Sequence, residues 1–204
     1  MYRYFENNKI FPNNQYGFRR GLSTSHAITD LVLQIEKLKA MNRRFAVVLI
    51  DFSKAFDLID HGILFRKLGG YGFTKSAVDM VKSYLTGREQ YVEVNNNVSC
   101  TLKCLPLGCP QGSCLGPLLY LIYTTDLKKL LDGHYHIMYA DDTCLVLDLT
   151  EAKDELKTIR TKLLQIKDHF SNLGLKMNLA KTEILHSHMK ETKINLSSYL
   201  EAFL

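Results

Sequence analysis

The chain has no run of about eighteen apolar residues, the length a helix needs to cross a bilayer, so no transmembrane helix is expected. Its opening, MYRYFENNKIFPNN, lacks the basic-then-apolar order of a secretory signal. Cysteine is sparse and odd in number: Cys100, Cys104, Cys109, Cys114 and Cys144, with no CxxC pair. That argues against a disulfide framework and fits a reducing, intracellular setting, without separating nucleus from cytoplasm. Cys100 and Cys104 have no second ligand pair at zinc-site spacing and read as small buried hydrophobes. There are no internal repeats, no low-complexity tracts and no Pro/Gly/Ser linker in the 204 residues. Length allows one large domain or two small ones. What is present is enough apolar material for a core, 46% of residues, and a net charge of +5. That charge permits a polyanionic partner without requiring one.

Periodicity gives a mixed chain. Residues 23–43 read as a helix capped by Ser23, Thr24 or Ser25, with Ile28, Leu31, Val32, Ile35 and Leu38 on one face. FAVVLI, from Phe45, reads as a strand buried on both faces, and Asp51 follows it. Asp60 caps a short helix, HGILFRKL, that is expected to stop at Gly69 and Gly70. Another helix is expected over 74–85, a hairpin over 90–94 and 98–105, and a strongly apolar helix over 113–131. Two short strands flank Asp141 and Asp142 within 135–148. A charged amphipathic helix covers 151–173 and ends at Gly174, and two more short strands fit within 177–187. Residues 189–204 give weak signals. Helices and strands without strict βαβ alternation point to α+β, with helices packed on a largely antiparallel sheet.

The carboxylates raise the functional question. Asp51 ends an apolar strand, and Asp141 and Asp142 sit side by side in an apolar segment. One reading is an exposed hairpin tip, since aspartate is common in turns. The other is a site where strands bring the three acids together. Three such oxygens suit Mg²⁺, and two ions a few ångströms apart are a standard device for phosphoryl transfer. LGCPQGSCLGPLLY, from Leu107, adds a Gly-rich turn before a helix, and such a turn lets backbone approach a ligand closely. Gln111 within it can bond a base or sugar edge, or stand as a surface residue of a sharp loop.

Taken in order, DFSKAFD at Asp51, LGCPQGSCLGPLLY, YADDT at Tyr139 and LGLKMNLAKTEIL at Leu173 resemble the polymerase motif series of reverse transcriptases. The PQGS–LGPLL wording is most similar to the non-LTR (LINE-type) retrotransposon branch. QYGFRRGLSTSHAI, from Gln15, resembles that branch's fingers motif. The resemblance runs from Gln15 to Ser187.

It implies a right-hand polymerase palm, an antiparallel sheet backed by helices, with partial fingers at 1–45, palm with an inserted fingers segment at 46–188 and an unassigned tail at 189–204. It implies RNA-directed DNA synthesis in retrotransposon replication, with an RNA template, a DNA primer and dNTPs as partners. Asp51, Asp141 and Asp142, with the Phe52 carbonyl, would hold two Mg²⁺ ions, for which Mn²⁺ can substitute. Phe56 matches the steric-gate aromatic that favours deoxynucleotides, and its spacing alone also suits a core phenylalanine. Gln111, Gly112 and Tyr139 would line the nucleotide site. Arg19 or Arg20 would clamp the triphosphate, or form a solvated basic pair. Lys181 would protonate the leaving pyrophosphate, or stand exposed in a loop.

Cys109 and Cys114 depart from the family's aliphatic and β-branched residues; both keep small apolar character and add sensitivity to oxidation. The chain shows no thumb, primer grip, endonuclease or CCHC knuckle, and is expected to grip template weakly and to dissolve poorly in isolation. Two other readings stand beside the first. One is a different right-hand polymerase acting on RNA, against which YADD and Phe56 argue. The other is an inactive truncated relic that at most binds nucleic acid or another protein.

Overall fold

A computed structural model of the chain describes residues 1–89, 93–95, 97–98, 107–187 and 194–195. Cys100 and Cys104, most of the expected hairpin at 90–105, and Tyr199, Leu200, Phe203 and Leu204 lie outside the described residues. The chain divides into two compact units, 1–55 with 124–204, and 56–123. In chain order the first unit contributes α1 (Tyr2–Asn7), α2 (Thr24–Ala40), β1 (Phe45–Ile50) and β2 (Phe52–Ser53). The second contributes α3 (His61–Gly70), α4 (Lys75–Leu85), β3 (Glu93–Val94), β4 (Asn97–Val98) and α5 (Gly116–Tyr123). The first resumes with α6 (Leu127–Leu131), β5 (Tyr135–Tyr139), β6 (Asp142–Asp148), α7 (Glu155–Asn172), β7 (Lys176–Met177), β8 (Glu183–His186) and β9 (Ile194–Asn195).

Helix starts follow their caps. The Ser23 hydroxyl accepts from the His26 N–H, Asp60 from Ile63, Thr74 from Ala77 and Asp154 from Lys157. The last of these corrects the sequence expectation: α7 begins at Glu155, because Asp154 closes its first turn, and not at Glu151. α3 runs through Gly69 and Gly70 instead of stopping there. Its stop is a Schellman turn in which Gly72, at φ +83°, donates to the Gly69 carbonyl at 3.0 Å and Phe73 donates to Leu68 at 3.2 Å. The single helix expected over 113–131 is two helices. It breaks at Thr124-Thr125-Asp126, all weak helix formers, where Leu127 N–H bonds the Thr124 carbonyl at 3.0 Å.

Five strands of the first unit form one sheet in the order β5-β6-β1-β8-β9, with every pair antiparallel. β1 is central and pairs on both sides, which explains its unbroken apolar sequence. On one face Phe45, Val47 and Val146 pack with Tyr135 and Cys144 against Leu31, Ile35 and Leu38 of α2. The other face buries Ala46, Val48, Ile50, Leu145, Leu147 and Ile184. α2 covers only part of its face. Leu49, Tyr139 and Leu185 on the same side remain 37%, 36% and 39% exposed, which corrects the expectation that β1 is buried on both faces throughout.

β2 pairs with β7, and Phe52 packs its ring on Phe170 of α7 at a centroid distance of 4.0 Å. Phe170 is almost fully buried. Phe170→Ala is expected to cost about 3–5 kcal/mol of unfolding free energy. Chemical denaturation of the variant beside wild type checks this.

Candidate active site

The β1–β6 register runs from Phe45 opposite Asp148 to Ile50 opposite Thr143. One more step places Asp51 opposite Asp142, so both project from the same side of the sheet. That side is the one α2 leaves open beyond Leu49 and Tyr139. Asp142 itself pairs with Tyr139 across a two-residue hairpin whose loop is Ala140-Asp141. Ala140 sits at φ +59°, and Asp141 does not share the positive φ. This is the type II′ pattern, in which a non-glycine first residue carries a conformational cost of about 1–2 kcal/mol.

Asp142 feels the other two carboxylates. Asp142 is held above the usual carboxylate range, first by loss of surrounding water and then by the charges of Asp141 and Asp51. Among the described residues no basic side chain pairs with Asp51, Asp141 or Asp142. Their backbones, by contrast, are fixed. The Asp51 carbonyl accepts from Asn178 N–H at 2.8 Å, and the Asp51 N–H lies 3.5 Å from the buried Thr182 hydroxyl. Thr182 in turn donates to the Asn178 carbonyl at 2.8 Å. The segment carrying Lys181 is thus bonded to the peptide groups of Asp51, with Lys181 itself exposed.

Among the described residues no three acidic, cysteine or histidine side chains close into a ready-made ion cage. Mg²⁺ asks for less, taking one or two carboxylates and filling its octahedron with phosphate oxygens and water. Unpaired, mutually repelling, oxygen-only donors at the open end of a sheet fit that ion.

In the second unit the LGCPQGS loop is tied down by its own backbone. Gly108 N–H donates to Ile59 at 2.7 Å and Cys109 N–H to Phe56 at 3.1 Å. The buried His61 ring bonds the Gly108 carbonyl at 2.7 Å. Gly108, at φ +82°, lies so close to Asp57 that a Cβ there would stand 2.8 Å from the Asp57 carbonyl oxygen. Gln111 is exposed and donates to the Asp57 carboxylate at 2.9 Å. Gly112 is exposed at φ +76°. Phe56 is half-buried and stacks on Tyr120 at 4.7 Å.

A sequence profile described as reverse transcriptase (RNA-dependent DNA polymerase) matches residues 2–196. The chain belongs to the reverse transcriptase family. It is 31% identical over 183 residues to a probable RNA-directed DNA polymerase from transposon BS of Drosophila melanogaster, covering 85% of this chain and 20% of that protein. It is 32% identical over 160 residues to the RNA-directed DNA polymerase from mobile element jockey of the same organism, covering 72% of this chain and 16% of that one. The chain therefore spans about a fifth of the length of these curated relatives. Its fold matches apo telomerase from Candida tropicalis with a TM-score of 0.65 at 14% identity, over 96% of this chain and 38% of the telomerase chain. The α+β fold with an antiparallel sheet backed by helices is thus shared with that telomerase.

The first unit of this reverse transcriptase domain brings together Asp51, Asp141, Asp142 and Tyr139. The two arginines are unequal. Arg19 forms a two-point ion pair with Glu6, at 2.9 and 2.7 Å, and also donates to the Pro12 carbonyl at 2.8 Å. Its guanidinium is spent on holding α1 to the following loop. Arg20 is exposed, and among the described residues no acid pairs with it. The Phe52 ring is buried against Phe170. Sequence reasoning missed Asn178, Thr182, His61 and Gln15. Each acts on the backbone of a distant segment, and no local pattern marks such a bond.

Two tests address these loops. Gly112→Ala is expected to cost about 1–2 kcal/mol for its positive φ alone. Gly108→Ala is expected to cost more, because its Cβ also meets Asp57 backbone; thermal melts of the pair check the order. Burial pushes the Cys109 and Cys144 thiols up to about 11 and about 12, whereas Cys114 is exposed. Iodoacetamide at pH 8 is expected to label Cys114 and spare the other two until the chain is denatured, as peptide mapping would show.

Proposed function

We propose that this chain carries the catalytic palm of an RNA-directed DNA polymerase, joining a dNTP to a primer 3′-hydroxyl on an RNA template during retrotransposon replication. The observation that carries the reading is the convergence of Asp51, Asp141 and Asp142 at the open end of the sheet, with Asp142 raised in part by the charges of the other two. The unit formed by 1–55 and 124–204 would then hold the palm sheet, and 56–123 would be the inserted segment that carries the PQGS loop.

Asp51, Asp141 and Asp142, with the Phe52 carbonyl, would hold two Mg²⁺ ions or Mn²⁺ in their place. Bound there, such ions supply Lewis acidity to the attacking hydroxyl and neutralise charge on the triphosphate. The protein's own groups do the rest. Phe56 presents an aromatic ring, supported by Tyr120, to the sugar of the incoming nucleotide and disfavours a 2′-hydroxyl. Gln111 and Gly112 offer an amide and an accessible backbone to the base pair being formed. Tyr139 lies exposed beside Asp142 as a surface for the nucleotide. Arg20, the exposed member of the arginine pair, reaches for triphosphate oxygens. Lys181 donates its proton to the departing pyrophosphate.

Primer extension on poly(rA) with oligo(dT), dTTP and Mg²⁺ or Mn²⁺ tests this, with the Asp141→Asn, Asp142→Asn double variant alongside. Extension by wild type that the variant lacks is the expected result. Folded wild type without extension, or a variant as active as wild type, would overturn the reading for this chain.

A further inference from the structure

The residue most tightly engaged with the YADD turn lies 125 positions away in sequence. Residues 14–17 run along β5, at the edge of the sheet. Met138 N–H donates to the Asn14 carbonyl at 2.8 Å, and Tyr16 N–H donates to Met138 at 2.7 Å. Gln15 bridges Met138 in parallel fashion. Asn14 also donates its side-chain amide to the His136 carbonyl at 3.0 Å. From this bridging segment the Gln15 side chain, only 2% exposed, reaches the turn. Its Oε1 accepts from Ala140 N–H at 3.0 Å, and its Nε2 donates to the Ala140 carbonyl at 3.2 Å. The same Oε1 accepts from Gly17 N–H at 2.8 Å. One carboxamide therefore satisfies both peptide groups of the residue that adopts the costly positive φ.

Gly17 is part of the device. A Cβ at Gly17 would stand 2.1 Å from the Ala140 nitrogen, so only glycine lets the two backbones lie this close. The segment is anchored at its other side as well, since the Tyr16 hydroxyl bonds the Asp30 carboxylate on α2. The carboxylates of Asp141 and Asp142 receive nothing from this arrangement; only the peptide that aims them does.

We infer that Gln15 is a positioning residue for the acidic turn: its carboxamide holds the Ala140 peptide in the type II′ conformation and so fixes the direction in which Asp141 and Asp142 project. This rests on the polymerase reading for its catalytic consequence, but not for the clasp itself. Gln15 touches no reacting group. Its loss acts on the placement of the carboxylates, and a displacement of about 1 Å at reacting groups costs on the order of 100-fold in rate.

The test uses three variants of the full chain. Gln15→Met keeps the volume and removes all three bonds. Gln15→Glu keeps the acceptor and removes the donor to the Ala140 carbonyl. Asn14→Leu removes an anchor of the same segment, to the His136 carbonyl, that does not touch the turn. In Gln15→Met, amide hydrogen exchange at Ala140 is expected to speed up about tenfold, as loss of a buried hydrogen bond implies. In Asn14→Leu that amide stays slow. Primer extension by Gln15→Met is expected to lose on the order of 100-fold in kcat with the dTTP KM unchanged, and Gln15→Glu to fall between it and wild type. Unchanged exchange at Ala140, or an Asn14→Leu loss equal to that of Gln15→Met, would overturn the inference. If Gln15→Met does not fold, Gln15→Glu decides: reduced kcat at constant KM supports the clasp, and wild-type kcat overturns it. Wild type without extension sinks the polymerase reading instead, and the exchange comparison still decides the clasp.

Discussion

Six consecutive pairs lock β1 to β6, from Phe45 opposite Asp148 to Ile50 opposite Thr143. Everything at the acidic end depends on that register. A slip of one residue would turn Phe45 and Val47 away from α2 and move Asp51 to the opposite side of the sheet from Asp142. The apolar contacts of Leu31, Ile35 and Leu38 with Phe45, Val47 and Val146 are therefore what forces two like charges to face the same space. Core packing holds the register, and the register holds the carboxylates against their repulsion.

A second regularity concerns how the acids are held. Among the described residues no basic side chain is spent on neutralising them. Instead the loop at 178–182 bonds the N–H and carbonyl of Asp51, and Gln15 bonds the N–H and carbonyl of Ala140. Clamping a peptide group fixes where a carboxylate points and leaves both of its oxygens for a ligand. A salt bridge would have fixed it equally well and consumed those oxygens. The loop in the second unit follows the same rule, with Gly108 and Cys109 tied through backbone and His61, and Gln111 left exposed.

Much of this was legible in the sequence, for local reasons. The apolar run before Asp51, the apolar flanks of YADD and the caps at Ser23 and Asp60 are short-range signals, and the strands and helices they pointed to formed there. The motif order led to the family that the chain belongs to. What was not legible is long-range or marginal. The break at Thr124 is a weak propensity acting inside an apolar stretch. The start of α7 turned on one aspartate among several acids. α1 is only six residues long and is secured by Phe5 stacked on Phe11 and by the Arg19–Glu6 pair, partners that lie outside its own segment. Gln15 looked like part of a motif string, and only its pairing with Met138 shows that its side chain points at the turn.

Residues 14–17 also lie along the outer edge of β5, which would otherwise present bare peptide groups to solvent. Cover for that edge and grip on the turn thus come from the same four residues. Peeling them away, by a protease cut or by local fraying, would loosen the acidic hairpin and uncover an adhesive sheet margin in one event.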